Sequence, residues 1–320
     1  MSRIRCLLAA ALLIHLTAVR ADEFPVKPVR WIVPQVPGGA SDTLARVIGQ
    51  KIGDQWGRQI VIDNRVGANG IIGTEIVAKS AADGYTWLVA YVGTHATNPA
   101  LYRKLPYDTN KDLTAVATLG TLPFVLIVGN GLPAAGLQEL IALAKQQPGK
   151  LSYGAPNGSV NHLLGVMVNA AAGVNMLFVP YRSPTDALTD TVGGRIQLAY
   201  SSAALAMPFV RAGKARVLAV SAARRSNALP EVPTIAESGV PGFDVNPWFG
   251  LFVRAGTAAP VVRKINSTVN NLLTQKDIIE RFALVGAEPL INTPEQFAKI
   301  ARDDIVKWAK VVKDAGVAVE

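Results

Sequence analysis

Apolar residues recur along this chain in two rhythms. Short β-branched runs bounded by Gly, Pro or polar residues alternate with longer stretches whose apolar positions return every three or four residues. The first rhythm predicts strands at 29–33, 60–62, 86–91, 116–118, 124–128, 151–153, 177–179, 198–200, 217–220 and 249–253. The second predicts helices at 43–56, 137–147, 162–172, 187–192, 206–211, 261–273 and 294–313. Leu44, Val47, Ile48 and Ile52 share one face of the first helix. Phe297, Ile300, Ala301, Ile305, Trp308 and Val312 share one face of the last. Alternation of the two element types predicts α/β lobes with largely parallel sheets. No fixed-period repeat or low-complexity linker interrupts it.

One apolar run fits neither rhythm. Residues 6–16 follow Arg3 and Arg5, and Val19-Arg20-Ala21 places small residues at the −3 and −1 positions of a cleavage site before Asp22. Residues 1–21 are therefore expected to be a secretory signal peptide, too short for a membrane span, so the mature chain is expected to be exported. Its removal takes away Cys6, the only cysteine, so neither disulfide nor thiolate chemistry is expected in the mature chain. The formal charge of +9 falls by three with Arg3, Arg5 and Arg20, leaving a modest positive balance that favours anionic ligands. No Lys/Arg run is interleaved with aromatic residues, so nucleic acid is not an expected partner. The mature chain has the length of two ordinary domains and no further apolar run of membrane-spanning size.

Ligands of open α/β sheets bind beyond the carboxyl ends of strands. Five such places carry chemistry: 35–42, 93–98, 157–162, 181–186 and 201–202. In the first, Pro37, Gly38, Gly39 and Ser41 precede a helix; in the third, Gly158, Ser159 and His162 do the same. Each is a candidate anion cradle, in which glycine lets the backbone approach and the free N–H groups of a helix start point outwards. Ser41 or Asp42 could equally serve as an ordinary N-cap, with Asp42 anchoring the loop. His162 has no sequence partner that would activate it, and a structural role competes with ligand contact. In Tyr181-Arg182-Ser183-Pro184-Thr185-Asp186 a capping pattern accounts for Ser183, Pro184 and Asp186. Alternatively, Asp186 selects a ligand that carries an amine or hydroxyl, and Arg182 is either a carboxylate clamp or a solvated charge.

Catalytic signatures are missing. The chain has no G-x-S-x-G elbow and no H-E-x-x-H or Cys/His zinc set, and the glycines at 67, 70 and 73 lack the dinucleotide spacing. A binding protein without metal or cofactor is the simpler expectation.

Many short motifs in sequence then carry a resemblance. They include Pro37-Gly38-Gly39-Ala40-Ser41-Asp42, Asn64-Arg65 with Gly67-Ala68, Asp83-Gly84-Tyr85-Thr86, Asn98-Pro99-Ala100-Leu101-Tyr102 and Leu105-Pro106-Tyr107-Asp108. They continue through Val179-Pro180-Tyr181-Arg182, Gly193-Gly194, Val232-Pro233-Thr234, Glu237-Ser238-Gly239 and Pro241-Gly242-Phe243. In these the chain resembles the periplasmic substrate-binding receptors of tripartite tricarboxylate transporters, the Bug family.

The resemblance implies a type II periplasmic-binding-protein fold, with two α/β lobes joined by two crossing strands and the ligand cleft between them. Lobe 1 would comprise 22–125 plus 247–320 and lobe 2 would comprise 126–246, with 124–128 and 249–253 as candidate crossings. Carried over by motif, the ligand would be held by Gly38, Gly39 and Ser41 on one lobe and Gly158, Ser159 and His162 on the other. Thr94 and Ser201 would neighbour it, and Asp186 is a further candidate contact. The resemblance further implies a monomer that closes over a small carboxylate, an organic acid or amino acid, and presents it to integral membrane transporter subunits. A co-receptor for a sensor kinase and an exported enzyme acting on a similar acid are the alternatives. Gln35-Val36, Ala155-Pro156-Asn157, Ser183 and Asp186 depart from the family pattern near the expected pocket, so they bear on ligand identity.

Overall fold

The structure, a computed structural model, describes residues 24–227 and 229–317. The expected signal peptide, residues 1–21, lies outside the described residues. In chain order, β1 (Val29–Val33), α1 (Ala40–Trp56), β2 (Ile60–Asn64), α2 (Ile71–Ala78), β3 (Thr86–Tyr91), α3 (Asn98–Leu101), α4 (Thr109–Asp112) and β4 (Leu113–Thr121) come first. There follow β5 (Phe124–Gly129), α5 (Leu137–Gln146), β6 (Ser152–Pro156), α6 (Val160–Ala172), β7 (Leu177–Tyr181), α7 (Pro184–Val192), β8 (Leu198–Ser202), α8 (Ala203–Arg211) and β9 (Ala215–Val220). The chain ends with β10 (Trp248–Arg254), α9 (Ala259–Leu273), α10 (Lys276–Leu284), β11 (Glu288–Pro289) and α11 (Pro294–Ala315).

The strands form a six-stranded sheet, ordered β11-β4-β10-β3-β1-β2, and a five-stranded sheet, ordered β7-β6-β8-β5-β9. Strands joined through helices are parallel: β1 with β2 and β3, and β6 with β7 and β8. The sheets are nevertheless mixed, which corrects the expectation of largely parallel pairing. β5 is antiparallel to β8 and β9, and β10 to β3 and β4. Each is the first strand after the chain changes sheets, and it enters without a helical crossover that would reverse its direction.

The crossings also lie beside the expected strands. Residues 124–128 and 249–253 sit wholly inside one sheet each, and the passages between sheets run through Leu122 and Pro123 and through residues 221–247. Hydrogen bonds tie the two passages together: Leu122 N to Pro247 O at 3.1 Å, Phe124 N to Ser221 Oγ at 2.9 Å, and Ser221 Oγ to Val245 O at 2.6 Å.

Leu44, Ile48 and Ile52 of the expected stripe on α1 are fully buried; Val47 is only partly buried, and Ala45 joins the buried face instead. The helix starts at Ala40, earlier than expected, because Gly39 is its extended N-cap and Ser41 and Asp42 form its first turn. α11 is capped reciprocally by Thr293 and Gln296 and buries Phe297, Ala301, Trp308 and Val312. It packs against both β4 and α6, thus touching elements of both sheets. Beside the passage into β10, the Trp248 indole N–H donates to Asp304 Oδ2 of α11 at 2.7 Å. Burial raises the Asp304 pKa, and the indole bond offsets part of that rise.

Candidate ligand-binding site

The carboxyl ends of β1, β2, β6, β7 and β8 face one cavity of about 190 Å³ between the two sheets. Its wall includes Gly39, Gly70, Ser159, Ser183 and Ser202, the N-cap residues of α1, α2, α6, α7 and α8. The first-turn N–H groups of a helix have no intrahelical acceptor and carry the positive end of its dipole, so this convergence makes the cavity attractive to anions. No described lining residue is an Asp or Glu, and Arg182 is the single described lining cation. Val36, Val66, Phe124, Val160, Leu205 and Phe249 supply apolar wall. The site can therefore hold a small anion with an apolar body.

The loops before α1 and α6 have the same construction. Gly38 and Gly158 both adopt positive φ, 78° and 70°. The next residue's N–H turns back to a carbonyl three residues earlier: Gly39 to Val36 and Ser159 to Pro156, both at 3.1 Å. Asp42 Oδ2 accepts from Gly38 N at 2.9 Å, and at the matching place His162 Nδ1 accepts from Gly158 N at 3.2 Å.

The two anchors differ in charge. Burial opposes ionisation of Asp42, but bonds from Arg46, Gly38 and Asn64 outweigh it and hold the carboxyl below its usual 3.8. His162 is buried, stacked on Phe178 with ring centroids 3.7 Å apart, and burial lowers its pKa to about 4, so it is neutral at pH 7.

A hydrogen bond closes the cleft on one side. Asn69, in the left-handed region at φ 51°, donates from Nδ2 to Asn157 O at 3.0 Å and to Tyr102 Oη at 2.9 Å. Its own carbonyl accepts from Asn98 Nδ2 at 3.1 Å.

With this geometry in place, comparison decides the family. Residues 44–317 match the tripartite tricarboxylate transporter family receptor. The chain belongs to this family. It is 36% identical over 304 residues to the protein BugT of Bordetella pertussis, covering 94% of this chain and 93% of that one. Among solved structures it is similar to the Rhodopseudomonas palustris protein Rpa4515 with adipate, at 36% identity and TM-score 0.88, covering 92% of this chain and 99% of that one. MatC from the same organism, with bound malate, is 33% identical at TM-score 0.82, covering 90% of this chain and 100% of that one. The periplasmic binding protein BugD is 31% identical at TM-score 0.84, covering 93% of this chain and 100% of that one. The receptor thus has the expected two-lobed α/β fold of this group.

The receptor places its expected site residues unequally. Gly39 and Ser159 line the cavity. Gly38 and Gly158 stand behind them and shape the loops. Ser41 is fully buried; its N–H donates to Gln35 Oε1 at 3.0 Å, and its hydroxyl has no partner among the described residues. Thr94 is buried beneath the end of β3, with Oγ1 bonded to Tyr91 O at 3.0 Å. His162 points into the second lobe's core. Asp186 is exposed, and its Oδ2 accepts from Ser183 Oγ at 2.9 Å, the capping alternative. Ser201 is fully buried off the cavity wall, where its neighbour Ser202 stands instead.

Sequence reading did not single out Asn69 or Tyr91; Asn161 and Ser202 lie within the expected segments 157–162 and 201–202 but were not among the residues expected to hold the ligand. Tyr91 lines the cavity; burial pushes its phenol up to about 12, partly offset by a bond with Gln35. The Gly67-Ala68-Asn69-Gly70 run was the available signal for Asn69, since an isolated glycine cluster after a strand marks a close backbone approach. Among the described residues no cluster of His, Cys, Asp or Glu could hold a metal ion, and no helix is long and apolar enough to cross a membrane.

Proposed function

We propose that this receptor is exported to the periplasm, captures a small carboxylate in the cavity between its lobes, and presents the closed form to the membrane subunits of a tripartite transporter. The observation that carries the ligand class is the convergence of five helix N-caps and Arg182 on a cavity with no described acidic lining residue. Each helix start is worth about 0.3–1 kcal/mol to an anion, and more where water is excluded. The adipate and malate held by the two R. palustris relatives are carboxylates of compatible size. In this reading the expected lobes, 22–125 with 247–320 and 126–246, hold with the first boundary moved to the passage at Leu122 and Pro123, since β5 from Phe124 belongs to the five-stranded sheet. Gly39 and Ser159 would touch the ligand, and the glycines behind them would set the loops. Binding, without turnover, is the output: the ligand contacts both lobes and shifts the population towards the closed state.

A thermal-shift panel on the mature chain tests this, with protein refolded from denaturant to remove any copurified ligand. Mono-, di- and tricarboxylates, amino acids, amines and neutral sugars would be compared. A saturable rise in Tm with carboxylates alone is the expected result. A rise with amines or sugars and none with carboxylates would overturn the reading.

A further inference from the structure

Four consecutive residues between β2 and α2 leave the ordinary backbone regions. Gly67, Ala68, Asn69 and Gly70 all have positive φ, at 133°, 45°, 51° and 85°. Glycine adopts such angles freely and asparagine tolerates them, but an alanine is strained there. Backbone in sparsely populated regions persists only where its surroundings fix it, and such places collect at clamps and switches. Here Gly70 N–H donates to Gly67 O at 2.8 Å, and Asn98 Nδ2 of α3 donates to Asn69 O at 3.1 Å. The segment is thus pinned to its own lobe while it lines the cavity.

Pinning the backbone holds one amide out towards the other lobe. Both hydrogens of Asn69 Nδ2 are used. One goes to Tyr102 Oη, just after α3 on the same lobe, at 2.9 Å; the other crosses the cleft to Asn157 O at 3.0 Å. The donor is therefore aimed before its second acceptor arrives, so the cross-cleft bond needs little further ordering. Its acceptor is equally well held. Asn157 precedes Gly158, whose N–H is fixed by His162 Nδ1, and the His162 ring is stacked in the core of the second lobe. The bonds at Leu122, Phe124 and Ser221, by contrast, lie at the passages between the sheets. A rotation about the passages leaves those in place and breaks the bond across the cavity.

We infer that Asn69 is a latch across the cleft, a positioning residue that holds a share of the receptor closed before any ligand arrives. It acts through the backbone of the second lobe and needs no contact with the ligand. Apparent affinity scales with the fraction of protein already in the competent state, so the latch sets how tightly a ligand is held without selecting which one. This inference rests on the lobe closure in the reading above, and not on the chemical class of the ligand.

The test is a spin-label distance measurement on refolded, ligand-free protein, with labels at Lys145→Cys in α5 and Ser267→Cys in α9, exposed positions on the two lobes. Cys6, the only cysteine, falls within the expected signal peptide, so the mature chain adds no competing label site. The otherwise unaltered protein is expected to show an open and a closed distance. Asn69→Gly removes the amide without straining the left-handed backbone, and should lower the closed-to-open ratio about threefold to tenfold. Asn69→Asp keeps the size but sets a carboxylate against the Asn157 carbonyl, and should lower the ratio further. Tyr102→Phe removes only the partner on the same lobe, and should leave the ratio within about twofold. Thermal unfolding checks that each variant folds. A single open distance before Asn69 is changed, an unaltered ratio in both Asn69 variants, or a fall with Tyr102→Phe as large as with Asn69→Gly would overturn the inference. Each of these outcomes would leave the carboxylate reading intact, because no ligand enters the measurement.

Discussion

The loops before α1 and α6 solve one backbone problem with different chemistry. Both need a glycine in the left-handed region, a turn back to the strand end, and an acceptor at the helix's third residue that fixes the glycine N–H. Asp42 supplies that acceptor as a carboxylate and is bonded by Arg46 and Asn64, at 2.9 Å each, which offset its charge beside the proposed anion site. His162 supplies it as a neutral ring, stacked in the second lobe's core, and needs no counter-charge. The shared loop geometry therefore rests on the backbone shape, and the anchor's charge is free to vary if it is neutralised locally.

Acid should separate the two anchors with the largest effect. His162 has a folded pKa near 4 against an unfolded value of 6.5. The unfolded chain binds the proton first, so its contribution is complete above pH 6.5 and declines as pH falls towards 4. The shift corresponds to a loss of at most about 3 kcal/mol. Asp42 titrates later: its folded pKa lies below 3.8, so its contribution is present above 3.8 and is lost as pH falls through the folded value. Urea unfolding across this range should show a slope between pH 6.5 and 4 that His162→Asn reduces. His95, lowered to about 3 by burial alone, sustains the remainder. An unchanged slope in the variant would show that His162 is not held neutral.

Removing the charged anchor should cost less than its burial suggests. Asp42 is 2% exposed, yet Gly38 and Arg46 are exposed and can turn to water once their acceptor is gone. Asp42→Ala is expected to destabilise the fold by about 2 kcal/mol, below the cost of breaking a fully buried pair. It should also loosen the first loop, so ligand affinity falls with stability. A loss below about 0.5 kcal/mol in urea unfolding would mean that the loop holds without its anchor.

Both loops were legible in the sequence because glycine followed by a small or hydroxyl residue before a helix pattern is a local signal. The Ser201 and Ser202 choice was not. Consecutive strand residues point to opposite faces, so which serine faces the cavity depends on the sheet's orientation, which no local pattern reveals. The direction of β5 and β10 was hidden for the same reason, since pairing partners are set by the crossings at Leu122 and Pro123 and at residues 221–247. α11 illustrates a third limit. Its apolar stripe announced a buried face, but that face is shared between elements of both sheets, and a stripe does not say against what it packs.

The smallest effect is the cleanest test of shared backbone design. Gly38→Ala adds a methyl group that meets nothing within 4 Å, so its cost is the left-handed conformation alone, about 1 kcal/mol. If the loops are built alike, Gly158→Ala should cost nearly the same, despite the different anchors and neighbours. Asparagine, which tolerates this region, should recover part of the loss at either position. The two sites lie on different sheets and share no hydrogen-bond partner, so the double variant should lose the sum of the two to within about 0.5 kcal/mol in urea unfolding. A clearly larger cost at Gly158, unrelieved by asparagine, would show that packing around the His162 ring constrains the second loop. The resemblance would then be one of hydrogen bonds only.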